Sequence, residues 1–156
     1  MMGWRRAALV VVAMGWATIS VADEPLVANP PLPTISLTLT SKGKPHRYTV
    51  EVAKTTVEQA RGLMLRKVMG RGHGMLFPVA APPHDVSFWM EGTYLPLDII
   101  FIAPDHRVRR IAANAVPFSK ADIPAGGPTA AVLELNAGEA ARIGLQPGDL
   151  VDYTAD

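Results

Sequence analysis

The feature that most constrains the fold is a series of short segments in which apolar and polar residues alternate, each ended by a proline- or glycine-containing turn. Residues 34–40 (TISLTLT) place three aliphatic side chains on one side of the chain and four hydroxyl side chains on the other. Residues 46–52 (HRYTVEV) repeat the alternation after a turn at 41–45. A period of two is the spacing of a half-buried strand, so these segments predict a β-hairpin.

Further segments have the length and composition of strands, and they are 75–77, 86–90, 97–103, 108–113, 130–135 and 150–153. Thr55 and Glu58 have the spacing of a capping box, which predicts a short helix at 56–63. A second short helix is predicted at 137–143, ended by Gly144. About eight strands and two short helices, without βαβ alternation, predict a mainly β (α+β) fold. We expect a compact β-sandwich or small barrel.

The first 22 residues have the three parts of a secretory signal peptide. Arg5 and Arg6 precede an apolar run at 7–21, and small residues precede a predicted cleavage site after Ala22. The alternative is an uncleaved N-terminal anchor, although the run is shorter than the ~20 residues of a spanning helix. The segment therefore predicts a periplasmic or secreted protein.

Residues 23–33 (DEPLVANPPLP) contain four prolines in eleven residues. Because proline fixes φ and lacks an N–H group, this segment predicts an extended linker. A single β-rich domain is then expected at 34–156, a length that can bury a core without disulfides.

Cysteine and charge exclude several classes of function. The chain has no cysteine, which excludes disulfides, thiolate metal sites and a cysteine nucleophile. The formal net charge is +1, from 15 basic and 14 acidic residues. Removal of residues 1–22 takes away two arginines and no acid, which leaves 13 bases against 14 acids, or −1. Such a nearly neutral net charge is not typical of a nucleic-acid-binding domain.

Several short motifs occur in one order along the chain, and they are Gly62-Leu63-Met64, Gly74-Met75-Leu76-Phe77, Phe88-Trp89-Met90, Pro96-Leu97-Asp98-Ile99-Ile100-Phe101, Val132-Leu133-Glu134-Leu135 with Gly138, and Gly148-Asp149. In this order and spacing they closely resemble the family called domain of unknown function 192, over residues 46–154. The resemblance implies a small, exported, mostly β protein, in a family without an established biochemical activity. The chain departs from the family pattern after Met90, where the usual Lys-Asn-Thr is Glu91-Gly92-Thr93.

Two carboxylates lie in apolar strand segments. Asp98 follows Leu97 and precedes two isoleucines, and Glu134 lies between two leucines. A buried carboxylate is costly unless it is paired or hydrogen-bonded. The structural interpretation is that Arg61, Arg66 or backbone N–H groups satisfy both carboxylates. The functional interpretation is that one or both carboxylates line a pocket. The side chains of Trp89, Thr93 and Tyr94 would lie beside them.

Trp89 also has two interpretations. Its neighbours Phe88 and Met90 favour a position in the core, which is the commoner environment for a single tryptophan in an apolar strand. An aromatic side chain on a β-surface can instead stack on a sugar or a peptide. Period-two alternation places Trp89 on the side opposite to both neighbours, so that side can be less buried.

Neither a metal nor a cofactor is predicted. The four histidines, which are His46, His73, His84 and His106, lie near predicted turns and do not have the spacing of a metal motif. The glycine-rich loop at 69–74 precedes a strand, whereas a dinucleotide-binding loop follows a strand and begins a helix.

The resulting function hypothesis is a non-catalytic ligand- or partner-binding accessory module of the cell envelope. Its binding patch would contain Trp89, Glu91, Thr93, Tyr94 and Asp98, with Glu134 across from it. The partner would be a small molecule, a glycan or an envelope protein, with no nucleic acid, and with membrane contact only through the N-terminal segment. The alternative is an envelope carbohydrate hydrolase that uses Asp98 and Glu134 as an acid/base pair. A third hypothesis is a structural partner that binds through an exposed β edge.

Overall fold

The structure is a computed structural model that describes residues 26–155. The predicted signal peptide and its cleavage site after Ala22 lie outside the described residues. In chain order the elements are β1 (Thr34–Ser41), β2 (Lys44–Val52), α1 (Thr56–Arg61), β3 (His73–Pro78), β4 (Ser87–Phe88), β5 (Leu97–Ile102), β6 (Val108–Ala115), β7 (Ile123–Pro124), β8 (Ala131–Asn136), α2 (Glu139–Ile143) and β9 (Leu150–Tyr153). Neither helix of this part of the chain has the length and hydropathy needed to cross a membrane.

Seven strands form one curled sheet in the order β6-β5-β8-β3-β2-β1-β9, and β4 and β7 form a small second sheet. Backbone hydrogen bonds connect the two edges of the large sheet. The Val108 N–H donates to the Asp149 carbonyl at 2.9 Å, and the Val151 N–H donates to the His106 carbonyl at 2.8 Å. The mainly β prediction with two short helices is confirmed, and the large sheet is a curled half-barrel.

Two details differ from the predicted elements. β2 and β3 pair in parallel, with Val50 opposite Gly74, and α1 lies in the connection between them. This single crossover was not predicted from a sequence without βαβ alternation. Parallel neighbours need a crossover connection, and the six-residue α1 supplies part of it. Between the predicted strands at 108–113 and 130–135 lies the two-residue strand β7, which was not predicted and which pairs with β4.

The large sheet is covered on both faces, which gives two hydrophobic cores. All six residues of β5 are buried, as expected of a central strand. Ile100 and Ile102 pack in one core together with Ala140 and Ile143 of α2, which we name the α2 core. Alternate residues of β5 pack on the other face with residues of the α1 turn and β3. We name this the α1 core, and it includes Leu63, Phe77, Met90, Leu97, Ile99 and Phe101.

The described part of the predicted linker packs against the domain. We name residues 26–33 the N-terminal strap. The strap has no regular secondary structure, but Asn29 and Leu32 are buried. The Leu32 N–H donates to a Glu51 carboxylate oxygen at 2.7 Å, and the Pro33 carbonyl accepts from the Val52 N–H at 2.9 Å. This part of the predicted linker is therefore held against the domain, because its polar groups have partners on β2.

Candidate functional site

The main candidate site is a cavity of about 190 Å³ on the α1 side of the large sheet. We name it the α1 cavity. One wall is α1 and the turn that follows it, and the other walls come from β3, β4, β8 and the loop after β4. The lining residues are Gln59, Ala60, Arg61, Gly62, Leu63, Met64, Phe77, Ser87, Phe88, Trp89, Thr93 and Glu134.

The position of α1 follows from local sequence signals and from the N-terminal strap. The Thr55 hydroxyl accepts from the Glu58 N–H, and the Glu58 carboxylate accepts from the Thr55 N–H, which is the predicted capping box. The helix ends at Gly62, which has a φ of 45°. A Cβ there would lie 3.3 Å from the Phe77 ring, so glycine allows the turn to approach β3 closely. The buried Asn29 amide donates to the Glu58 and Gly62 carbonyls and fixes this end of the wall.

Glu134 supplies the buried carboxyl group of the α1 cavity. It lies on β8 between Met75 of β3 and Ile99 of β5, and only 5% of its surface is exposed. Its carboxyl group has no hydrogen-bond or ion-pair partner among residues 26–155. Burial raises the pKa of the Glu134 carboxyl group to about 8. A carboxyl group in this environment can donate its proton to a ligand in the cavity or, once ionised, accept from one.

Asp98 lies on the other face of the sheet. It is fully buried, and its carboxylate accepts from the Asn114 N–H at 2.9 Å and from the Ala140 N–H at 2.8 Å. The second bond caps α2, whose N-cap residue, Gly138, has no side chain for that purpose. Asp98 thus has the arrangement of the structural interpretation, with backbone N–H groups as its partners.

Strand register separates the two carboxylates. Glu134 is opposite Ile99, which belongs to the α1 core, while Asp98 is opposite Leu135, which belongs to the α2 core. Successive residues of a strand point to opposite faces, so Asp98 and Glu134 project into different layers of the protein. The idea that the two act as an acid/base pair on one bond does not fit this geometry.

Trp89 and Thr93 both line the α1 cavity with Glu134. Trp89 is 49% exposed, so the core interpretation does not fit its environment. The apolar packing comes from its neighbours instead. Phe88 makes edge-to-face contacts with Phe77 and Phe101, and Met90 is fully buried. The alternation of the segment therefore turns the indole outward, toward the cavity rim.

Glu91 and Tyr94 belong to the same loop but do not line the α1 cavity. Glu91 forms an ion pair with Lys120 at 2.7 Å between Nζ and Oε1. Tyr94 is 45% exposed and makes an edge-to-face contact with Phe118, with 4.8 Å between the ring centroids. The structure thus divides the predicted binding patch into a cavity group, an outer loop group and the separately buried Asp98.

The two arginines have different surroundings. Arg66 makes a bidentate ion pair with Glu51, which also accepts from the Leu32 N–H, so it helps to hold the N-terminal strap. Arg61 lines the α1 cavity and has no hydrogen bond or ion pair among the described residues. Neither arginine pairs with Asp98 or Glu134, the partners considered from the sequence.

Comparison with known proteins identifies the family of the chain. The model of the domain of unknown function 192 family (DUF192), described as "Uncharacterized ACR", matches residues 37–153. The chain belongs to the DUF192 family. The family resemblance drawn from the motifs is therefore confirmed.

Two solved structures resemble this DUF192 protein over most of its length. A protein of unknown function from Novosphingobium aromaticivorans is 47% identical, with a TM-score of 0.75, and the match covers 81% of this chain and 91% of the other. A protein from Sinorhizobium meliloti, provisionally described as a transcription regulator, is 42% identical, with a TM-score of 0.76, and the match covers 81% and 98%. None of the curated proteins matches the chain.

Several lining residues of this DUF192 site were not singled out from the sequence. Phe77, Phe88 and Met64 lie in apolar segments that indicate only a core, and the cavity arises where those segments leave a gap in the packing. Arg61 was noted, but as a structural partner. No group of three or more potential metal ligands (His, Cys, Asp or Glu) is found among residues 26–155.

Proposed function

We propose that this DUF192 protein is a non-catalytic binding module that holds a small molecule in the α1 cavity. The observation that carries the proposal is the Glu134 carboxyl group. It is 5% exposed, it has no partner among the described residues, and it lines a cavity that also contains the exposed Trp89. No fully buried side-chain oxygen or nitrogen among the described residues lacks a partner, so the Glu134 oxygens reach the cavity, where a ligand can bind them.

The geometry favours binding over glycoside hydrolysis. That reaction commonly uses two carboxyl groups, about 5–10 Å apart, on either side of one bond. Among the described residues that line the α1 cavity, Glu134 is the one acidic residue. Asp98, the other candidate, has both oxygens occupied by backbone N–H groups on the opposite face of the sheet.

A protein partner is the second candidate. Tyr94 and Phe118 form an exposed aromatic pair beside the cavity loop, and Val116 is 67% exposed nearby in sequence. Exposed aromatic side chains are enriched at protein interfaces. An envelope partner could contact this pair while a small ligand occupies the α1 cavity.

The description of the Sinorhizobium relative suggests regulation of transcription, which we do not propose for this chain. DNA-binding proteins rely on basic surfaces that contact phosphates, and this chain has a formal net charge of +1. The signal peptide predicted at residues 1–22 supports a location of the proposed module in the periplasm or outside the cell.

The test is a ligand screen read by tryptophan fluorescence and by thermal shift. Trp89 lines the α1 cavity, so a ligand there should change its emission and raise the melting temperature. The full chain also contains Trp4 and Trp16, so a Trp89→Phe variant identifies the signal that comes from the cavity. A screen of metabolites and envelope glycans in which no compound produces a Trp89-dependent change would refute the proposed function.

A further inference from the structure

The walls of the α1 cavity limit the size and polarity of its ligand. The Phe77, Phe88 and Trp89 rings and the Met64 thioether form its apolar part. An apolar cavity of about 150 Å³ accommodates a benzene ring, and drug-sized ligands occupy about 300–1,000 Å³. A cavity of about 190 Å³ therefore suits a small metabolite with one apolar group.

The lining of the α1 cavity contains one acidic and one basic residue. Glu134 comes from the sheet, and Arg61 comes from the C-terminal end of α1. No ion pair joins them within 4.0 Å in the described part of the chain, and neither has another partner there. A ligand that pairs with Arg61 and also stabilises the ionised form of Glu134 must therefore carry a negative and a positive group.

We propose that the α1 cavity binds an amino-acid-like zwitterion, with its ammonium group at Glu134, its carboxylate at Arg61 and its side chain against the aromatic rings. The inference rests on the proposed function and names the class of ligand for the same site. Guanidinium and carboxylate groups form bidentate hydrogen bonds of complementary geometry. Aromatic faces such as that of Trp89 also attract an ammonium group.

Other ligand classes leave one of the charges without a partner. A simple amine would meet the Arg61 guanidinium with a like charge, and a simple carboxylate would pair with Arg61 but offer Glu134 no positive charge. A neutral sugar could donate hydroxyl groups to Glu134 but would compensate neither charge. The zwitterion is the small molecule that fits the two charged groups and the apolar wall together.

The release of a proton on binding distinguishes a zwitterionic ligand from an uncharged one. The elements packed around Glu134 present Met75 from β3 and Ile99 from β5, and Arg61 is the other charged residue in the cavity lining. Glu58 of α1 is occupied by its capping bonds. With the pKa of Glu134 at about 8, about 0.9 of the carboxyl groups are protonated at pH 7. An ammonium group favours the ionised carboxylate, so binding should release close to one proton.

The experiment is isothermal titration calorimetry of the full chain at pH 7 in two buffers of different ionisation enthalpy. The probes are L-phenylalanine, L-leucine and L-methionine, with phenethylamine and 3-phenylpropionate as the analogues that lack one charge. We expect at least one amino acid to bind with release of about 0.9 proton, and its single-charge analogues to bind roughly 10- to 100-fold more weakly.

Substitutions of Glu134 and Arg61 test the contribution of each residue to binding separately. Glu134→Gln should abolish proton release and lower the affinity for the amino acid roughly 10- to 100-fold. Arg61→Gln should lower that affinity but leave the affinity for phenethylamine unchanged or higher. Arg47→Gln changes an exposed arginine of β2 outside the cavity and should behave as the wild type.

The outcomes also separate this inference from the proposed function. If a neutral sugar or another uncharged metabolite binds at the cavity while all three amino acids fail, the zwitterion is excluded and the binding module stands. If an amino acid binds equally well to the wild type and to Glu134→Gln, or binds without proton release, the inference is overturned. If no ligand of any class binds, both proposals fail.

Discussion

Replacement of Glu134 by glutamine should change the pH dependence of stability in a direction that few carboxylates show. Burial raises the pKa of Glu134 from 4.5 to about 8, so the folded protein binds more protons than the unfolded chain between these pH values. The stabilising contribution of the neutral form is complete below the unfolded pKa and is lost as pH rises through the folded pKa. Glutamine has a similar shape and does not titrate, so the variant does not lose stability through this residue as pH rises.

The magnitude follows from the two pKa values. One pKa unit corresponds to about 1.36 kcal/mol. Integration between pH 5 and pH 7 gives a loss of about 2.5 kcal/mol for the wild type relative to Glu134→Gln. The quantity to compare is the difference in the free energy of unfolding between the two proteins. Carboxylates that both proteins share, such as Glu51, titrate equally in both and cancel in this difference.

The assay is urea unfolding of both proteins at pH 5, 6, 7 and 8, with Glu139→Gln as the matched control. Arg142 lowers the pKa of Glu139, so its stabilising contribution is present above its unfolded pKa and is lost only in acid. The difference between wild type and Glu139→Gln should therefore be nearly flat from pH 5 to pH 7. A flat difference for Glu134→Gln as well would refute the burial of an unpartnered carboxyl group.

Three further substitutions test other parts of the structure. Asp98→Ala should lower the free energy of unfolding by about 3–5 kcal/mol in urea unfolding, because the buried Ala140 N–H group and the partly buried Asn114 N–H group lose their acceptor. Trp89→Ala should leave the melting temperature nearly unchanged, because the side chain is half exposed, while ligand affinity in calorimetry falls at least 10-fold. Asn29→Ala should cost about 1–2 kcal/mol and increase amide hydrogen exchange at the end of α1, since two carbonyls lose a donor; unchanged exchange there would contradict the role of the strap.

Local signals in the sequence were sufficient for most of the secondary structure. The capping box at Thr55 and Glu58 predicted the start of α1, and Gly144 marks the end of α2. These signals work because hydrogen bonds within a few residues determine where a helix begins and ends. The parallel pairing of β2 with β3 was missed, because it depends on contacts across the sheet rather than on neighbours in sequence.

Contacts between residues distant in sequence were also missed at the candidate site. The apolar neighbours of Asp98 and Glu134 predicted that both are buried, and both are. The sequence could not place them on opposite faces, because that depends on the register that aligns Ile99 with Glu134. It also could not foresee that the partner of Asp98 is the N–H group of Ala140, 42 residues later in the chain.

The most direct test of the site is an NMR titration of the Glu134 carboxyl carbon, with and without the amino acid that binds best. The account predicts a midpoint near pH 8 in the free protein, because burial raises the pKa and no described residue offers a partner. Saturation with the zwitterion should then lower the midpoint well below pH 7, as the ammonium group stabilises the carboxylate. A midpoint near 4.5 in the free protein, or one near 8 that the ligand does not move, would contradict the account.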